Sequence, residues 1–108
     1  MSRTDEELIR DALDHIDILN HHLTLGTMAE PIIADAVCMR LAASIESLSQ
    51  TSSEFRENLF VEEWRLMKAT RNLISHGYSF VDPMVIRDTV EKDLPGVEAK
   101  LRSALEQF

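Results

Sequence analysis

The apolar residues of the chain recur every three or four positions, the spacing that places them on one face of an α-helix. In the first segment this face comprises Leu8, Ala12, Ile16, Leu19 and Leu23, and in the second Ile33, Val37, Leu41, Ile45 and Leu48. Both segments are therefore predicted to be amphipathic helices that bury one side.

Polar residues, glycine and proline mark where these helices begin and end. Thr4–Glu7 has the spacing of a capping box, and Thr27–Glu30 suggests a second box. Gly26 suits the end of the first helix, and Pro31 is tolerated in the first turn of the second. A polar break follows, and Glu54–Leu59 fits either a short helix or a loop.

The second half of the chain contains further helix signals. A third main helix is predicted over about 61–76, and we expect Gly77 to adopt the left-handed conformation beyond its end. Asp82-Pro83 is typical of a helix start, and predicts a helix to about residue 92. Asp93–Pro95 then predicts a new start. The apolar stripe of this last helix is Val97, Leu101, Ala104 and Phe108.

The composition agrees with a helical protein of one domain. A chain of 108 residues fits one compact domain, residues 1–108. Three glycines, three prolines and 6% aromatic residues favour helices over many short strands joined by turns. The predicted fold is an all-α, up-and-down bundle of four to five helices.

The net charge, the hydropathy and the N-terminal segment bear on whether the protein binds nucleic acid or a membrane, and on its cellular compartment. A net charge of −8 argues against a protein that coats nucleic acid, although a local basic pocket remains possible. No apolar run approaches the roughly 20 residues of a membrane span, and the polar, acidic segment Met1–Glu7 does not resemble a signal peptide. The single cysteine, Cys38, reads as a core residue in a reducing compartment. We expect a cytoplasmic protein without membrane attachment.

Arg71 occupies a position where the third helix should carry an apolar residue. The other members of this row are Phe60, Trp64, Met67 and Ile74. Burying an unpaired guanidinium is costly, so Arg71 needs a carboxylate, a phosphate or a wet pocket. On position alone, the simpler interpretation is an arginine that reaches solvent at the edge of the row or pairs with a core carboxylate such as Glu46.

Three further polar residues follow Arg71 closely. His76 lies in the last turn of the helix, where a histidine usually interacts with the helix dipole. Asn72 precedes it by four residues, close enough to orient the imidazole. Tyr78 comes just beyond Gly77, and in isolation it would be interpreted as a half-buried aromatic residue.

The other clusters of chemically active residues favour no site. The first helix carries several acidic residues and histidines opposite its apolar face, which indicates a solvated surface rather than a metal centre; these are Asp14, His15, Asp17, His21 and His22. The chain has no glycine-rich phosphate loop and no Cys-His spacing for zinc.

The segment Arg71–Tyr78 resembles the R-x4-H-x-Y signature of the HepT-like branch of the HEPN superfamily. Trp64-Arg65 precedes it at the spacing that is typical of the family. Asp82-Pro83 and Asp93–Pro95 also resemble family features, and the similarity covers nearly the whole chain.

This resemblance implies a metal-independent endoribonuclease that needs no cofactor. His76 would carry the proton transfers near neutral pH, and Arg71 would stabilise the phosphoryl oxygens. Asn72 would hold the imidazole or bind phosphate, while Arg65 and Lys68 would add local positive charge. The RNA would supply the nucleophile through its own 2′-hydroxyl.

The resemblance also implies partners. The family forms homodimers, and one motif histidine per chain is fewer than the base and acid that cleavage uses. The protein would be the toxin of a type VII-like toxin–antitoxin system, neutralised when a cognate minimal nucleotidyltransferase antitoxin transfers AMP to Tyr78. The alternative is a non-catalytic HEPN domain that acts as a helical partner or nucleotide-binding subunit of a nucleotidyltransferase.

Overall fold

The computed structural model describes residues 3–108, and no strand occurs in that range. The interpretation of Met1–Glu7 falls partly on residues 1 and 2, which lie outside the described range. The main helices are α1 (Asp5–Leu25), α2 (Pro31–Ser49), α3 (Ser53–Leu59), α4 (Glu63–His76), α5 (Pro83–Asp88) and α6 (Leu94–Leu105). This confirms the all-α helical bundle.

The capping box predicted at the start of α1 is confirmed. The Thr4 hydroxyl accepts a hydrogen bond from the Glu7 backbone N–H at 3.1 Å, and the Glu7 carboxylate accepts one from the Thr4 N–H at 3.4 Å. Three acidic residues in the first turn also face the positive end of the helix dipole. The sequence therefore fixes the start of α1 locally.

The second capping box, predicted at Thr27–Glu30, is wrong. Helix α2 begins at Pro31, so Glu30 is the N-cap residue and not the third residue of the helix. Its side chain makes no capping hydrogen bond, and the backbone N–H of Glu30 donates to the Thr27 carbonyl within a turn. The first-turn position predicted for Pro31 is confirmed.

Gly77 does not adopt the left-handed conformation that we expected. Its φ is −132° and its ψ is 33°. The Gly77 N–H donates to the Leu73 carbonyl at 2.8 Å, and the Gly77 carbonyl accepts from Phe80 at 2.9 Å. The chain therefore continues into a 3₁₀ turn, Tyr78–Phe80, and no left-handed residue is needed to reverse its direction.

The helix predicted to start at Asp93–Pro95 begins at Leu94, but no break separates it from the preceding helix. Helical structure continues from α5 into α6 through a π-helical segment, Thr89–Asp93. Proline has no N–H and clashes with the carbonyl four residues earlier in an α-helix. Wider π turns, with the Leu94 N–H bonded to the Thr89 carbonyl, accommodate Pro95 without ending the helix.

The core lies between the long pair α1 and α2, with α4 and α6 packed against it. The residues predicted to be buried on α1 and α2 are confirmed, except that Leu23 is only partly buried. Cys38 is buried as expected. Within residues 3–108, no helix is long and apolar enough to cross a membrane.

Candidate active site on helix α4

Helix α4 carries different residues on the side that packs against α2 and on the side that faces solvent. Ile74 is buried, and Trp64, Met67 and Arg71 are partly buried on the packed side. Thus Arg71 lies in the apolar row of the helix, as the spacing predicts.

Arg71 is paired with a carboxylate of α2. One terminal nitrogen of its guanidinium donates a hydrogen bond to Glu46. The arginine side chain is 22% exposed and the Glu46 side chain 48% exposed, so the pair lies at the edge of the core. Within the described residues, the buried Nε of Arg71 has no hydrogen-bond partner. The guanidinium is therefore held in place but not saturated with partners.

A row of polar residues follows the exposed side of α4. It consists of Arg65, Lys68, Asn72 and His76, which we call the polar stripe, and all four are exposed. Steps of three, four and four residues keep these side chains on one face of the helix. Three of the four side chains can carry positive charge, in a chain whose net charge is −8. The stripe is thus a local basic surface.

His76 and Arg71 do not share a face of α4. Five residues of an α-helix correspond to roughly 140° of rotation about its axis. Arg71 therefore turns toward α2, whereas His76, the last residue of the helix, turns toward solvent. Among residues 3–108, no hydrogen bond joins Asn72 to His76. In one chain the two groups therefore lie on different sides of α4.

The 3₁₀ turn brings Tyr78 against α2. Its hydroxyl donates a hydrogen bond to the Asp35 carboxylate, and the buried Cys38 thiol lies beside it. The Asp35 carboxylate, together with partial desolvation, raises the pKa of Tyr78 well above its usual range. Burial likewise raises the pKa of the Cys38 thiol. Tyr78 remains 43% exposed, so the phenol is anchored and still accessible.

Asp35 was not singled out in the sequence analysis. It lies three residues before Cys38 on α2, a spacing that places both on one side of the helix. That spacing does not reveal which side Tyr78 approaches. The sequence therefore places Asp35 and Cys38 on one side of α2, but only the 3₁₀ turn of the structure shows that Tyr78 contacts that side.

The acidic residues and histidines of α1 do not gather into a metal site. In the described part of the chain, no group of three or more His, Cys, Asp or Glu residues is placed to hold a metal ion. Asp14, Asp17 and His21 are exposed, and Asp17 accepts a hydrogen bond from Arg102 of α6 at 2.9 Å.

A groove of about 610 Å³ lies beside α4, away from the motif residues. Its lining is largely apolar and includes Leu66, Leu73, Ile45 and Val97. Arg71, His76 and Tyr78 are not part of that lining. The groove is therefore separate from the motif residues.

The chain is similar to a known protein family. The model of a family described as Ribonuclease HepT-like matches residues 9–104. No curated protein and no solved structure matches the chain. Since the family match covers most of the sequence, from α1 to α6, the chain belongs to the HepT-like ribonuclease family.

Proposed function

We propose that this protein is a metal-independent endoribonuclease toxin in which Arg71 and His76 carry out the cleavage. The observation that carries the proposal is the geometry of α4. Helix α4 carries a guanidinium held by Glu46 on its packed side and, on its exposed side, a polar stripe that ends in a histidine. Such an arrangement offers RNA both a phosphate-binding cation and an imidazole that can transfer protons.

The proposed chemistry asks little of the protein, because RNA carries its own nucleophile. The 2′-hydroxyl attacks the adjacent phosphorus, and the bond to the 5′-oxygen of the next nucleotide breaks. His76 transfers a proton in this step, while Arg71 stabilises the charge that develops on the phosphoryl oxygens. Arg65 and Lys68 attract the RNA backbone, and Asn72 binds phosphate or orients the imidazole.

We further propose that the active unit is a homodimer. In-line cleavage uses a base and an acid, and one chain contributes one motif histidine. Because Arg71 and His76 point in different directions on α4, two copies of this helix facing each other would bring these groups to a common cleft. The open polar stripe supports this arrangement, since a second chain would convert it into an enclosed site.

Neutralisation is proposed to occur at Tyr78. A cognate minimal nucleotidyltransferase would transfer AMP to its phenolic oxygen, which adds a bulky base and a negative phosphate two residues beyond His76. That phosphate would compete with RNA for nearby positive charge. The 43% exposure of Tyr78 supports access by a modifying enzyme.

Cleavage by purified variants tests the ribonuclease proposal. His76→Ala and Arg71→Ala should each reduce the rate of RNA cleavage by about 10²-fold or more, because losing a general acid or base, or a charge that stabilises the transition state, costs that much. Helical content, measured by circular dichroism, should remain that of the wild type. Variants that cleave RNA at the wild-type rate would leave the non-catalytic partner role as the better account.

A further inference from the structure

Tyr78 and Asp35 form a phenol–carboxylate pair on the outer side of α2. The Tyr78 hydroxyl donates directly to an oxygen of Asp35. Asp35 is exposed, and it lies in the second turn of α2, one turn before Cys38. Nothing in the proposed cleavage of RNA uses this carboxylate, so the pair calls for a separate explanation.

The surroundings of the phenol single out Asp35 as its proton acceptor. The Asp35 carboxylate and the Cys38 thiol both lie against the Tyr78 hydroxyl. Cys38 is 1% exposed, and its burial raises the pKa of the thiol, so it is a poor base and out of reach of solvent. Asp35 can accept the phenolic proton and release it to water.

The same carboxylate makes a free phenolate at Tyr78 scarce. Its negative charge disfavours a second negative charge on the adjacent oxygen, and the pKa of the phenol rises accordingly. A nucleophilic reaction of Tyr78 at neutral pH therefore cannot depend on prior ionisation. The proton must leave while the new bond forms, and this requires a base in hydrogen-bond contact.

We propose that Asp35 is the general base for adenylylation of Tyr78, an inference that rests on the proposed neutralisation by AMP transfer. The phenolic oxygen attacks the α-phosphorus of a nucleoside triphosphate, and the phenolic proton passes to Asp35. The bond from the α-phosphorus to the bridging oxygen breaks, and pyrophosphate leaves with the electron pair. The modified chain thus contributes one catalytic group to its own inactivation.

The chain contains a single tyrosine, so reactions of Tyr78 can be followed without interference. Acylation by N-acetylimidazole at neutral pH probes the nucleophile without any partner protein. Wild type should react faster than Asp35→Asn, although loss of the carboxylate lowers the pKa of the phenol, and Asp35→Glu should recover much of the rate. Asp14→Asn, an exposed change on α1, serves as the matched control. An Asp35→Asn variant that reacts as fast as wild type, or faster, would overturn the proposal.

Adenylylation itself is then measured by mass spectrometry, with ATP and the cognate nucleotidyltransferase. Wild type should gain AMP, Tyr78→Phe should gain none, and Asp35→Asn should be modified about 10²-fold more slowly. If wild type gains no AMP, the proposed neutralisation fails. If wild type and Asp35→Asn gain AMP at equal rates, the neutralisation stands and the role of Asp35 is overturned.

Discussion

A guanidinium in the apolar row of a helix needs a partner, and Arg71 finds one in Glu46. Because the Glu46 side chain is 48% exposed, solvent screens the pair, and its contribution to stability should be at most about 1 kcal/mol. Its larger effect is geometric. Glu46 fixes the direction of the guanidinium, which in the proposed reaction would lower the cost of ordering it around a phosphate.

Glu46 should therefore influence cleavage in two separable ways, by positioning the Arg71 guanidinium and by placing a negative charge near the RNA phosphate. Glu46→Ala releases the guanidinium, and we expect kcat to fall by about 10-fold, since small displacements of a reacting group are costly. Glu46→Gln retains an acceptor but removes a negative charge near the phosphate, so kcat should change less and KM for RNA should fall. Steady-state cleavage kinetics measure both effects.

The matched control for these variants is Glu91→Ala, which removes an exposed carboxylate of the π-helical segment. It should leave kcat and KM near their wild-type values. A Glu46→Ala protein with wild-type kcat would show that the ion pair does not position Arg71.

The sequence predicted the environment of a residue correctly where the spacing of residues within a single helix was enough to define it. The apolar row of α4 shows that Arg71 needs a partner, and the alternative with Glu46 is the pairing that the structure contains. The Tyr78–Asp35 contact depends instead on the direction of the chain after Gly77. No periodicity encodes that direction, so Asp35 could not be found in this way.

At the level of elements, the two threonines predicted to cap helices behave differently. Thr4 accepts the capping hydrogen bond of α1, whereas Thr27 lies outside α2 and its backbone carbonyl forms a turn. Thr4→Ala should therefore lower the free energy of unfolding by about 1 kcal/mol. Thr27→Ala, the same chemical change, should alter it by less than about 0.5 kcal/mol.

Urea denaturation followed by circular dichroism measures these two differences. Equal losses in both variants would mean that the capping bond of Thr4 contributes no specific stability. A larger loss for Thr27→Ala would contradict the assignment of Glu30 as the N-cap of α2.

Helices were predictable here because the apolar spacing is regular over long segments. Buried Leu8, Ile16 and Leu41 follow that spacing closely. The π-helical segment was not predictable, because Pro95 marks a helix start without showing whether the chain breaks before it. Packing favours helical structure that continues from α5 into α6, because Val90, Leu94 and Leu101 are all buried.

For the whole molecule, the net charge and the polar stripe have opposite consequences. A charge of −8 repels RNA at long range. The stripe on α4 provides attraction only at close range, on a surface that one chain leaves open. A second chain would enclose this surface, and the proposed dimer thereby accounts for how an acidic protein could bind RNA at one place.

Sedimentation equilibrium should therefore give twice the mass of the 12.3 kDa chain at the concentrations used for cleavage. Specific activity should fall when dilution dissociates the dimer, because each cleft would then lose half of its groups. A protein that sediments as a monomer and retains full specific activity would end the proposal of a shared cleft.

The proposed reaction uses the 2′-hydroxyl of the RNA, together with Arg71 and His76, and no metal ion. The most direct measurement compares cleavage of one oligoribonucleotide and its fully 2′-O-methylated form by the wild-type protein in excess EDTA. We expect cleavage of the unmodified RNA, with products that end in a 2′,3′-cyclic phosphate, and no cleavage of the methylated form. Cleavage of both substrates, or activity that EDTA abolishes, would rule out this reaction.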